Sequence, residues 1–171
     1  MNKKKWMLVI LSVVLVVVWG FRVYQVNAGV AKEYKINTYE LGEEIRLDNA
    51  ILQIKRASYG KMKTENNYKS IPFTIEMEVH NVSNKNIDVM HLLTAKLGYG
   101  LDYFQTRDGE FSVEKLRSLE PDMTAKIILI YHVSPKYKGD RPKVYLDQRL
   151  YKDRVMRNYE EGYRLGIAIQ L

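Results

Sequence analysis

Three histidines, two pairs of adjacent glutamates and two Ser-x-x-Lys spacings are the residues of this 171-residue sequence with types suited to metal, acid–base or nucleophilic chemistry. His80, His91 and His132 fall in separate segments. They build neither a His-x₃-His nor a His-Glu-x-x-His pattern, the spacings that place two imidazoles on one metal. Glu43-Glu44 and Glu160-Glu161 are sequence neighbours. Neighbours on a strand point to opposite faces, so neither pair is spaced to flank a glycosidic bond. Ser58 with Lys61 and Ser112 with Lys115 fit a bare Ser-x-x-Lys, but the companion Ser-Asp-Asn and Lys-Thr-Gly motifs are missing, as is a Gly-x-Ser-x-Gly elbow. Cysteine is absent, which removes thiolate nucleophiles, thiolate metal sites, disulfides and lipid attachment through a lipobox. The expectation is a non-enzyme with no cofactor and no metal.

Two segments are better suited to binding. Gly98–Phe111 (GYGLDYFQTRDGEF) gathers Tyr99, Tyr103, Phe104 and Arg107. Tyrosine, phenylalanine and arginine supply rigid contact area with a polar handle. The bland alternative is that these aromatics alternate into a core along a strand. The second segment carries Arg149, Lys152, Arg154 and Arg157, with Asp153 the acid among them. Such a cluster suits the phosphates of lipid headgroups or of an anionic envelope polymer. Its bland alternative is a solvated helix face.

The elements that would position these residues begin with an apolar run, Trp6–Phe21, interrupted only by Ser12 and Gly20. As a helix it spans roughly 24 Å, and Val23-Tyr24 extend it toward the ~30 Å of a bilayer core. Lys3–Lys5 precede it, and Trp6, Trp19, Phe21 and Tyr24 mark its two ends. By the positive-inside rule the N-terminus is cytoplasmic and the rest is exported. An uncleaved single-pass anchor over residues 6–24 is expected, with residues 1–5 as a cytoplasmic tail. The alternative is a signal peptide cleaved after Ala28, releasing a secreted binding protein. The formal charge of +7 follows the same logic. Four of the 27 Lys and Arg residues lie before residue 29 with no acid beside them, leaving 23 against 20 acids, a net of +3. That residue is too weak for a nucleic-acid binder.

After a tether over residues 25–37, period-2 patterning dominates. Ile71, Phe73, Ile75, Met77 and Val79 alternate with polar residues. Ile127–Val133 is apolar on both faces, as in a central strand. Tyr163, Leu165, Ile167, Ile169 and Leu171 alternate to the last residue given. Shorter candidate strands are Glu44–Leu47, Ala50–Arg56, Ile87–Leu93, Leu101–Gln105 and Lys143–Leu146, separated by Gly, Asn, Asp and Pro turns. Residues 147–161 differ, because Tyr151, Val155 and Tyr159 recur at i+4 and suggest a short helix. Seven or eight short strands point to an antiparallel β-sandwich over residues 38–171.

The order of motifs resembles a known family. The blocks YELGEEIRLDNAILQIKRASY (Tyr39–Tyr59), FTIEMEVHNVSNKNIDV (Phe73–Val89) and SLEPDMTAKIILIYHVSPKY (Ser118–Tyr137) are similar to the immunoglobulin-like, telokin-like exported domains of unknown function of low-GC Gram-positive bacteria. Asp122 stands where that family usually has glycine, and Leu97–Lys115 has no counterpart. The resemblance implies an Ig-like sandwich outside the membrane and implies no activity. The functional expectation is a membrane-anchored, extracytoplasmic, non-catalytic module contacting a membrane protein or an envelope polymer. The alternative class is an envelope-acting hydrolase or metal-dependent enzyme.

Overall fold

In the computed structural model, residues 3–65 and 68–171 are described. The chain opens with helix α1 (Lys3–Asn27), long and apolar enough to cross a membrane and with no residue buried against the rest of the molecule. Five residues later β1 (Glu33–Glu40) begins, followed by β2 (Glu44–Arg46), β3 (Ala50–Tyr59), β4 (Lys63–Glu65) and β5 (Tyr68–Asn81). A 3₁₀ turn (Met90–Thr94) leads to β6 (Lys96–Tyr99), β7 (Asp102–Glu110), the single-turn α2 (Val113–Arg117) and β8 (Thr124–Val133). The chain then forms a 3₁₀ turn (Pro135–Tyr137), β9 (Lys143–Tyr145), another 3₁₀ turn (Gln148–Tyr151), α3 (Lys152–Glu160) and β10 (Tyr163–Gln170).

The strands lie in the order β1-β10-β9-β6-β7-β8-β5-β3-β2, with β4 hairpinned onto β5. The sheet folds over on itself at β7. The first half of β7 pairs with β6 and the second half with β8, with a register shift between Thr106 and Asp108. Arg107 is the extra residue of that bulge, and bulges bend a strand so that it can pass from one layer to the other. Gly109 follows because a Cβ there would lie 2.3 Å from the Ile128 carbonyl. The result is a sandwich approaching a closed barrel, whose open seam lies between the two outermost strands, β1 and β2.

The two long antiparallel pairings set the core. β5 pairs with β8 from Ile71↔Val133 to His80↔Thr124, and β3 pairs with β5 from Ala50↔Asn81 to Tyr59↔Phe73. The expected alternation holds there: Ile71, Phe73, Ile75, Met77 and Val79 are buried opposite Ile127, Leu129, Tyr131 and Val133. Each fully buried side chain of this size contributes about 1.5–3 kcal/mol of transfer free energy. From the opposite layer Leu97, Val144, Leu165, Ile167 and Ile169 meet them.

Several sequence expectations need correction. The tether is shorter than expected, since residues 33–37 already belong to β1, which pairs in parallel with β10 from Glu33↔Tyr163 to Glu40↔Gln170. Ile87–Leu93 is not a strand. Ile87 makes one bridge to Leu119, and the Asp88 carboxylate then accepts the Met90 N–H at 2.8 Å, starting a 3₁₀ turn. The alternation of the last strand sets Tyr163 on the same face as Leu165 and Ile167, yet it is 37% exposed, because it precedes the part of β10 that β9 covers. Asn81, part of a nominal glycosylation sequon, is fully buried. Its amide donates to the Lys85 and Leu119 carbonyls, and its oxygen accepts from the Ser83 N–H and hydroxyl. Asp122 adopts φ +60°, the left-handed conformation that glycine takes without strain.

Candidate functional site

The residues that converge lie along the seam, where α3 plugs the gap between the two layers. Two side chains of the preceding 3₁₀ turn fix that segment in place. Tyr151 is fully buried; its hydroxyl accepts the Ile167 N–H at 3.1 Å and donates to the Leu146 carbonyl at 3.4 Å. Gln148 donates to the Leu165 carbonyl at 2.7 Å. These side chains serve the edge of β10 that the three-residue β9 is too short to pair. Asp147 opens the turn by accepting the Arg149 N–H at 2.9 Å. Helix α3 is then capped from the other side of the seam, where the Asp48 carboxylate accepts the Asp153 N–H at 2.8 Å. A carboxylate on an otherwise unpaired helix N–H also complements the helix dipole.

This docking leaves a cleft of about 760 Å³ lined by Tyr39 of β1, Arg46 of β2, Leu47, Asp48, and Asp153, Arg154, Met156 and Arg157 of α3. Arg154 is half-buried and donates through Nη1 to the Arg46 carbonyl at 2.6 Å, which ties the helix to β2 and aims the guanidinium. Among the described residues, Arg46, Arg154 and Arg157 form no ion pair with a carboxylate within 4.0 Å. Three arginines therefore line one cleft together with Asp48 and Asp153, and none of the three is in an ion pair among the described residues. Guanidinium carries a fork of donors that matches carboxylate and phosphate oxygens.

The basic cluster expected from the sequence is divided by the fold. Arg154 and Arg157 reach the cleft. Arg149 is turned away and is consumed by Asp147, to which it donates through Nη2 at 2.6 Å and Nε at 3.0 Å. That pairing holds the Asp147 carboxyl down at about 2, below its ordinary 3.8. Lys152 is exposed and lies outside the cleft lining. Arg46 was not among the sequence candidates. It has no other cation within eight positions and lies 108 positions before Arg154, and only the Asp48-Asn49 turn after it marks a place on the surface.

The aromatic cluster is divided as well. Tyr99 is buried and stacks on Tyr137 with ring centroids 4.5 Å apart, while Phe104 meets both edge-on. The Tyr59 hydroxyl donates to the Tyr137 carbonyl at 2.7 Å, so Tyr99 donates to Tyr59 at 2.9 Å. Burial raises the Tyr99 hydroxyl far above its usual range. These rings close the end of the core and bind one another. Tyr103 lies on the opposite, outer face, edge-on to Tyr145 at 5.5 Å, where both rings cover Gly98. Arg107 is exposed at the bulge. The four residues thus form no single surface. His80 hydrogen-bonds Thr124 at 3.1 Å and approaches Asp122 at 3.4 Å, and no group of three metal-binding side chains converges among the described residues.

No family model matches the chain, and no curated protein matches it by sequence. Its fold is similar to that of solved structures. An uncharacterized β-sandwich protein from Clostridium difficile 630 superposes with a TM-score of 0.53 at 13% identity, covering 82% of this chain and 98% of its own. The yjhA protein from Bacillus subtilis gives 0.51 at 13% identity, covering 78% and 98%. The chain therefore carries a β-sandwich of the kind found in uncharacterized proteins of Gram-positive bacteria, behind an apolar N-terminal helix.

Proposed function

We propose that the chain is a membrane-anchored, extracytoplasmic binding module of non-catalytic type, whose seam cleft takes an anionic ligand of the cell envelope. The observation that carries this reading is the convergence of Arg46, Arg154 and Arg157 on one cleft without a carboxylate partner among the described residues. The address is supported by α1 and by the lysines before it, which favour a cytoplasmic N-terminus. A finer fold assignment, an Ig-like sandwich of telokin type, is supported by the three sequence blocks and by the left-handed residue at Asp122.

Two measurements test the reading. Protease added to intact cells expressing the full chain is expected to degrade the sandwich and spare α1; a protected sandwich refutes the export. Full chain in neutral detergent, titrated in turn with a soluble monoanionic phosphodiester and with a short polyphosphate, is expected to unfold at a higher temperature with at least one of the two. The Arg46→Gln/Arg154→Gln/Arg157→Gln variant is expected to lose that increment. An equal response from the variant removes the cleft as the binding site.

A further inference from the structure

Resting on that reading of anchor and cleft, we infer that the ligand is the phosphodiester of a singly charged anionic lipid in the leaflet on which the domain sits. Register gives the sandwich a near end and a far end relative to α1. β1 enters at Glu33 opposite Tyr163 and leaves at Glu40 opposite Gln170. Residues around position 163 therefore lie at the end where the chain arrives from α1. The hairpin tip at Leu101 lies at the other end, since Gly98 and Gln170 both pair with Lys143. Only residues 28–32 separate α1 from β1, so Glu33 lies within about 20 Å of the end of α1.

The last turns of α3 lead through Gly162 into Tyr163 and belong to this near end. Here Tyr34 is 63% exposed, Met156 51%, Tyr163 37% and Tyr159 36%, on the side of the cleft that Arg157 lines; the cleft runs from there toward Tyr39, which pairs with Ile169. Exposed tyrosines next to arginines that form no ion pair are the composition of a headgroup-level surface. Charge count narrows the ligand. The cleft lining holds three arginines against Asp48 and Asp153, a net of +1. One phosphodiester charge balances that, whereas a polyanion would be repelled by the two carboxylates once the first charge was met. Phosphatidylglycerol has the matching headgroup, and zwitterionic phosphatidylcholine carries its own cation into the arginines.

The test uses full chain in lipid nanodiscs of phosphatidylcholine alone or mixed with phosphatidylglycerol. Phosphatidylglycerol is expected to raise the unfolding midpoint and to slow amide exchange over residues 154–163, roughly fivefold for each arginine engaged. Arg46→Gln and Arg157→Gln are each expected to remove part of that gain while leaving the midpoint in pure phosphatidylcholine unchanged, and Arg157→Lys to keep more of it than Arg157→Gln. Equal exchange in the two lipids overturns the inference. So does polyphosphate added to phosphatidylcholine discs if it protects as well as phosphatidylglycerol, which assigns the cleft to a soluble polymer and leaves the proposed function standing. Failure of the full chain to co-purify with discs would instead refute the anchor.

Discussion

Asp122 shows how a single residue can carry information that only a backbone angle explains. Its φ of +60° costs an L-residue roughly 1–2 kcal/mol, partly offset by the Asp carboxylate reaching His80 at 3.4 Å. Asp122→Gly is therefore expected to be neutral or stabilising by up to about 1 kcal/mol in urea denaturation, and Asp122→Val clearly destabilising. Gly98 has the reverse requirement. An added Cβ would sit 2.7 Å from the Tyr145 ring and 3.1 Å from that of Tyr103, so Gly98→Ala is expected to cost about 1–3 kcal/mol. The buried tyrosines add a pH dependence. Burial pushes the Tyr131 and Tyr151 hydroxyls up to about 12 from 10.0. The native state then holds protons that the unfolded chain releases from pH 10 upward. Stability is expected to be undiminished by these groups below pH 10 and to fall between pH 10 and 12. Tyr131→Phe should flatten the fall if denaturation midpoints are followed across that range. Two of the three cleft arginines were legible at this scale: Arg154 and Arg157 stand in a run of cations with Asp153 the acid among them, while Arg46 joined them only through a contact that no local pattern encodes.

Among the elements, β10 supplies the sharpest contrast. Ile167 is 1% exposed in mid-strand, so Ile167→Ala is expected to cost about 2–5 kcal/mol, whereas exposed Arg164→Ala should stay within about 0.5 kcal/mol. Equal effects in urea denaturation would show that β10 is not core. Tyr163→Ala belongs with the mild changes, although the alternation of the sequence runs through it. Strands that bury one whole face, β5 above all, were legible because burial writes itself into a period of two. β1 was not legible. Its sequence EYKINTYE leaves most side chains in solvent, and the strand is held by backbone bonds to β10, which any residue type can make. The i+4 recurrence of Tyr151, Val155 and Tyr159 did report a helix, though Tyr151 turned out to be the buried residue just before it.

At the scale of the whole molecule, β1 sets the limit on where the domain can be cut. A fragment beginning at residue 28 keeps all eight β1–β10 register pairs and is expected to unfold cooperatively. A fragment beginning at residue 41 exposes the edge of β10 and is expected to lose most of its cooperative transition by circular dichroism or to aggregate. The sandwich class was readable from strand count and turns, but the crossing of β7 between layers was not, because a bulge is defined by its partners rather than by its own residues. The parallel pairing of β1 and β10 also has a mechanical meaning. A pull applied through α1 against the far end of the domain acts along the length of β1. Its bonds to β10 lie across the line of force and must slide together, where a hairpin loaded at one end would open bond by bond. The junction with α1 is thus the part of the sandwich best arranged to resist tension, so force entering the domain there would be borne without the fold being the first thing to give.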